Sequence, residues 1–157
     1  MFRIGQGYDI HIFEEKRPLI LGGLKVRDNW GLLGHSDADV LVHAIMDALL
    51  GAAGLRDIGY YFPDTDPKYK DICSMDLLAM VKEKLDDKGY TISNIDTIIV
   101  AEKPKLKDFI PEMILNISSA LDIDKDQVAI KATTKEKMDA TGKGKSMEAY
   151  AICLITG

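Results

Sequence analysis

The stretch Ser36-Asp37-Ala38-Asp39-Val40-Leu41-Val42-His43-Ala44-Ile45-Met46-Asp47-Ala48-Leu49-Leu50-Gly51-Ala52-Ala53-Gly54 is the clearest element of the chain. Val40, Leu41, Ala44, Ile45, Ala48 and Leu49 recur at helical spacing, which predicts a helix with one face on a core. Ser36 is a candidate N-cap with Asp39 three residues on, as in a capping box, and Gly54 is a natural stop. Everything else in the fold is read by what can lie against that helix.

Before it, Phe2 to Ile10 reads as a strand, with Phe2, Ile4, Tyr8 and Ile10 on one parity. A turn around Glu14 to Arg17 leads to a second strand, Pro18 to Val26, and the two suggest a hairpin with a long loop. After it, Arg56 to Lys70 reads as a long irregular loop, and such loops are often functional. A second helix is expected from Ser74 to Lys88, a buried strand from Ile95 to Ala101, and a third helix from Lys107 to Leu121. Strands Val128 to Thr133 and Met147 to Ile155 flank a polar, glycine-rich segment, Thr134 to Ser146. The order predicts a single-domain α+β fold over residues 1–157, its sheet covered by helices on one face. Ile95 to Val100 and Ala149 to Ile155 carry few charges on either parity, so the second face also needs cover. Another subunit or this chain's own helices and loops would supply it, and periodicity leaves both open.

The chain has 157 residues, 46% hydrophobic and 29% charged, with 20 Lys+Arg against 25 Asp+Glu for a net charge of −5. That acidic balance argues against a nucleic-acid or anionic-membrane partner, which needs clustered positive charge. It leaves room for a small anionic ligand at a local patch. Cys73 and Cys153 have no CxxC spacing, so reduced thiols are expected. The first residues enter strand-like sequence without a leader pattern, and no apolar run approaches the roughly 20 residues of a membrane helix. A cytoplasmic protein is the expectation.

Three histidines carry most of the chemistry. Asp9 and His11 are two apart on a strand, so both side chains share one sheet face. His43 lies on the first helix, with Asp39 and Asp47 one turn to either side. An Asp-x-His pair with one helical His could make a three-ligand zinc site with an open fourth position, the arrangement of catalytic zinc. The plainer reading is two solvated or core histidines. His35-Ser36 sits where a loop meets the helix N-terminus, either an ordinary cap or an anion cradle. Between Lys131 and Lys145, five Lys stand against Glu136 and Asp139, a local sum of +3. Thr133 and Thr134 end the strand there, which favours phosphate binding over a merely solvated loop, and Glu136 could hold a Mg²⁺ that bridges phosphates. Asp57-Ile58-Gly59 and Phe62-Pro63-Asp64-Thr65-Asp66 could bind polyol hydroxyls or simply form turns.

Several of these segments, in this order, resemble the 2-C-methyl-D-erythritol 2,4-cyclodiphosphate synthase family of the non-mevalonate isoprenoid pathway. The resemblance is carried by Gly5-Gln6-Gly7-Tyr8-Asp9-Ile10-His11, Leu19-Ile20-Leu21-Gly22-Gly23 and His35-Ser36-Asp37-Ala38-Asp39-Val40. His43, Asp47-Ala48-Leu49-Leu50-Gly51-Ala52, Asp57-Ile58-Gly59, Phe62 to Asp66, Lys131-Ala132-Thr133-Thr134 and Glu136-Lys137 extend it nearly end to end.

The resemblance implies a homotrimer with sheets packed around a threefold axis and active sites between subunits. It implies zinc, or another divalent metal, on Asp9, His11 and His43. His35, Ser36, Asp57, Ile58, Gly59, Phe62, Pro63, Asp64, Thr65 and Asp66 would line the erythritol and phosphate side. Ala101, Glu102, Lys103, Pro104, Lys105, Leu106 and Lys107, with Thr133, Thr134, Lys135 and Glu136, would hold the cytidine diphosphate part, Glu136 reaching a Mg²⁺ or Mn²⁺. His35 and Thr134 match transition-state-stabilising positions. The implied reaction is attack by the substrate's own 2-phosphate on its diphosphate, releasing CMP. The phosphate nucleophile is already ionised, so no general base is needed, and Asp47 is expected to sit behind His43 as its hydrogen-bond partner. Gln6, Ala140 and Lys143 depart from the family's common His, aromatic and Arg. The resemblance implies that Ala140 and Lys143 lie near the substrate side or the central channel, and Lys in place of Arg loses bidentate phosphate recognition. A zinc-dependent phosphoesterase and a non-catalytic metal-binding module are the competing readings.

Overall fold

The computed structural model describes residues 1–157. β1 (Phe2–Glu14), β2 (Leu19–Leu21), β3 (Leu24–Arg27) and β4 (Gly31–Leu32) precede α1 (Val40–Ala52), α2 (Ile58–Tyr61) and α3 (Ser74–Asp87). β5 (Thr91–Val100), α4 (Ile110–Leu121), β6 (Val128–Thr133), α5 (Asp139–Gly142) and β7 (Ser146–Thr156) complete the chain. One five-stranded sheet runs β4-β1-β7-β5-β6, and β2-β3 form a separate two-stranded ribbon. Only β5 and β6 pair in parallel, and α4 supplies the crossover that a parallel pair requires.

The expected hairpin between Phe2–Ile10 and Pro18–Val26 does not form. β1 pairs instead with β7, from Phe2 opposite Thr156 to Ile12 opposite Ser146. The second segment folds on itself at Gly22 and Gly23, whose φ of 55° and 69° give the two left-handed residues of a tight hairpin turn. α1 begins later than expected, and its cap is Asp39 rather than Ser36: Asp39 Oδ1 accepts the Val42 N–H at 3.1 Å. Its Oδ2 takes the Gly23 N–H at 2.8 Å, tying the ribbon to the helix start. The third helix starts at Ile110, with Pro111 in its first turn. The loop Arg56 to Lys70 is not irregular, since it holds α2 and a 3₁₀ turn over Pro67–Tyr69.

α1 lies directly on β1. A Cβ at Gly5 would stand 1.8 Å from the Ala48 carbonyl oxygen, and one at Gly7 1.9 Å from that of Ala44. Only glycine on the strand, facing alanine on the helix, allows this contact. The odd residues of β1 therefore face the helices. Its apolar even residues face away, leaving Phe2 76%, Ile4 74% and Ile12 56% exposed, with Ile152 of β7 at 53% beside them. The chain's own helices do not cover this second face. The core is one cluster of 34 buried residues on the helical side, centred on α1.

Candidate metal centre and substrate pockets

Close packing of α1 on β1 carries His43 to Asp9 and His11. One ligand atom from each of the three lies within 4.8 Å of the others. Asp9 Oδ2 is 2.9 Å from His11 Nε2 and 2.9 Å from His43 Nδ1, and those two nitrogens are 3.2 Å apart. Burial pushes the Asp9 carboxyl up, but hydrogen bonds from both imidazoles and their charge bring it down to about 2. Burial lowers His11, and its bond to Asp9 reverses that into a net rise. Two imidazole nitrogens and a carboxylate oxygen on one spot fit a divalent metal of zinc type.

The outer nitrogens are occupied. His11 Nδ1 lies 2.6 Å from the Leu33 carbonyl oxygen, which fixes Nε2 as the inward atom. His43 Nε2 lies 3.0 Å from Ser74 Oγ and 3.2 Å from Ser36 Oγ. Asp47, expected behind His43, instead accepts the Ile58 N–H at 2.8 Å and so anchors α2. Ser74 lies 31 residues from His43, at the start of another helix, where no local pattern marks it.

A cavity of about 460 Å³ opens onto this cluster and is lined by His35, Ser36, Ile58, Gly59, Phe62, Pro63 and Asp64. His35 Nε2 is buried without a hydrogen-bond partner. The loop bearing these residues is pinned by Arg17 Nη2 on the Ser36 carbonyl at 2.9 Å and by the Asp71 N–H on that of His35 at 2.9 Å. Asp57 and Asp66 are helix caps, accepting from the Tyr60 and Lys68 N–H groups, and neither they nor Thr65 line the cavity.

A second cavity, of about 240 Å³, lies at the ends of β5 and β6. Ala101, Glu102, Pro104, Lys105, Leu106, Lys107, Thr133 and Thr134 line it. Its turn is held by Glu102, whose Oε1 accepts the Lys135 and Lys137 N–H groups at 3.0 and 3.2 Å. Thr134 Oγ1 donates to Glu136 Oε1 at 3.0 Å. Lys135 is not free for a ligand, because its Nζ holds the buried Glu148 carboxylate at 2.8 Å. Lys103 and Lys143 line a third cavity beside Arg27 and Trp30, and Ala140 is exposed on α5. The first and second cavities share no residue.

Residues 2–156 match the YgbB family. The chain belongs to that family. A relative from Clostridium perfringens, named 2-C-methyl-D-erythritol 2,4-cyclodiphosphate synthase, is 57% identical over 153 residues, 98% of each chain. The bifunctional IspDF from Campylobacter jejuni superposes with a TM-score of 0.96 at 43% identity, over 99% of this chain and 42% of that one. IspF of Plasmodium falciparum, solved as a CDP complex, superposes at 0.86 with 37% identity, over 98% of this chain and 95% of that one. No helix of this YgbB-family chain is long and apolar enough to cross a membrane.

Proposed function

We propose that this protein converts 4-diphosphocytidyl-2-C-methyl-D-erythritol 2-phosphate to 2-C-methyl-D-erythritol 2,4-cyclodiphosphate and CMP, as a cytoplasmic homotrimer in non-mevalonate isoprenoid synthesis. The convergence of Asp9, His11 and His43 in the wall of a cavity also lined by His35 and Ser36 carries this reading. An oxygen of the 2-phosphate attacks the β-phosphorus of the same molecule, and the bond to the CMP oxygen breaks. The nucleophile is already an anion, so the protein's work is to hold two phosphate groups together and neutralise them. A zinc-type ion on Asp9, His11 and His43, and a Mg²⁺ or Mn²⁺ at Glu136, would supply Lewis-acid polarisation of the phosphates.

The rest falls to the chain's own groups. The unpartnered Nε2 of His35 suits a donor to a phosphate oxygen. Ser36 and the Ile58–Asp64 wall would orient the erythritol. The cavity lined by Ala101, Glu102 and Pro104 to Lys107 with Thr133 and Thr134 suits the cytidine, with the Thr134 hydroxyl beside Glu136 at the diphosphate. Asp57, Thr65, Asp66, Lys103, Lys135, Ala140 and Lys143 do not line either cavity, and we assign them no direct contact within one chain. The two cavities belong to separate parts of the chain, and the sheet leaves an apolar face bare. Both observations support three copies joined by that face, the metal pocket of one subunit completed by the nucleotide cavity of the next.

The deciding assay incubates the protein with the substrate and resolves products by phosphorus NMR. A cyclic diphosphate with equimolar CMP is expected. Linear erythritol phosphate would make it a phosphoesterase. His43→Ala is expected to lose the metal and at least 10²-fold in turnover while keeping its circular dichroism spectrum. Unfolding on metal loss would mean a structural site.

A further inference from the structure

His43 turns Nδ1 towards Asp9 and His11, so the sense of its other hydrogen bond decides which nitrogen can bind a metal. Ser74 Oγ gives its only proton to Asp37 Oδ1, and towards His43 Nε2, 3.0 Å away, it can therefore only accept. Asp37 is an acceptor at both oxygens. Its Oδ2 takes the Ser74 N–H at 2.9 Å, and Oδ1 also takes the Asp39 N–H at 3.2 Å. Three donors point at one side chain, and an ionised carboxylate accepts all three. An amide in its place would turn its NH₂ towards at least one of them. The chain of donors therefore runs in one direction, from His43 Nε2–H to Ser74 to Asp37. With the Nε2 proton committed to Ser74, Nδ1, 2.9 Å from Asp9 Oδ2, is the nitrogen left to give up its proton to a metal. Ser36 Oγ, 3.2 Å from the same Nε2, accepts the Ala38 N–H and can share the Nε2 proton as a second acceptor, while Ser74 is fully buried and His43 nearly so, which keeps water from reversing that sense.

We propose that Asp37 and Ser74 are positioning residues of the metal centre, fixing the tautomer and ring orientation of His43 through a serine-bridged carboxylate. This rests on reading Asp9, His11 and His43 as metal ligands. The pair also has a plain structural alternative, because Asp37 and Ser74 tie the loop before α1 to the N-terminus of α3. The two differ in what they predict for the imidazole proton.

The test uses the full chain labelled with ¹⁵N-histidine, as wild type, Ser74→Ala and Asp37→Asn. Co²⁺ is titrated into the metal-free protein and followed by its visible absorption, and the His43 Nε2–H is observed by NMR in the Zn²⁺-loaded protein. Both variants are expected to bind Co²⁺ 10- to 100-fold more weakly. Both should also exchange the Nε2 proton at least tenfold faster. Wild-type affinity in the variants overturns the proposal, and so does weaker binding with an unchanged proton, which is the structural outcome. If Asp37→Asn fails to fold, Ser74→Ala, which removes one buried hydroxyl, decides alone. If wild type binds no Co²⁺, the metal reading falls, but the ¹⁵N shifts of the metal-free protein still judge the relay. An unprotonated Nε2 at neutral pH would end it.

Discussion

Asp39 shows how far one residue can be read from sequence. It stands three residues into a cap-like motif, and so Ser36 looked like the cap. The preceding Ala38 takes φ of 57°, which swings Ser36 out to His43 and leaves Asp39 to close the helix. Asp39 is wholly buried, and burial pushes its carboxyl up to about 6 despite N–H bonds from Gly23, Val42 and Gly22. A raised folded-state value means that the native chain holds this proton more tightly than the unfolded one. The stability it contributes is complete below its ordinary value of 3.8 and is lost as pH rises to about 6. Urea unfolding in steps across that window should show a falling contribution of roughly 2–3 kcal/mol, and Asp39→Asn should flatten that part of the slope. Asp9 and His11 were legible because period two is local. Asp37 and Ser74 were not, because 37 residues separate them and only the fold joins them. The thiols follow burial in the same way. Burial raises both thiols, Cys153 to about 11, but only Cys73 is exposed, so a native sample should label at Cys73 alone, with mass spectrometry counting two labels only in denaturant.

At the scale of elements, α1 was the easiest to find and β1 the easiest to misplace. Helical spacing found α1 and its C-terminal end but put its start three residues too early. In β1 the apolar parity suggests the buried side, yet it is the exposed one, since glycines and the metal ligands occupy the helical side. Gly5 and Gly7 are the reason His43 can reach Asp9, and their spacing was visible while their purpose was not. Gly7→Ala puts a methyl within 1.9 Å of a helix carbonyl oxygen. The helix must lift, so about 3 kcal/mol or more of stability should vanish in chemical denaturation. Metal binding should weaken with it, although no ligand has changed. The hairpin error has an equally local cause. Gly22-Gly23 makes a two-residue turn, and a strand that folds on its own neighbour has no need of β1.

For the whole molecule, the uncovered sheet face is the surface that the proposed assembly would cover. An apolar surface built from Phe2, Ile4, Ile12 and Ile152 is costly in water and stable when shared. Light scattering should give three times the 17.4 kDa chain mass. Ile4→Glu combined with Ile152→Glu should shift this to a single chain, abolish cyclisation and leave Co²⁺ binding largely intact. A monomer that still cyclises would show that one chain holds a complete site. The α+β class and the one-sided helical layer were readable from element order. The choice of cover for the other face was not, because periodicity reports that a residue is apolar and not what meets it.

The pairing of β1 with β7 has a consequence in time as well as in space. These are the first and last strands of the sheet along the sequence, and β7 lies in its middle. Until β7 arrives, β4-β1 and β5-β6 are two fragments with no shared edge, and the loop that must close spans almost the whole chain. Such a high contact order favours slow, late folding, because the sheet cannot assemble before β7 has been made. A chain cut before Ser146 should therefore unfold without a cooperative transition, though it retains every residue of the metal cluster.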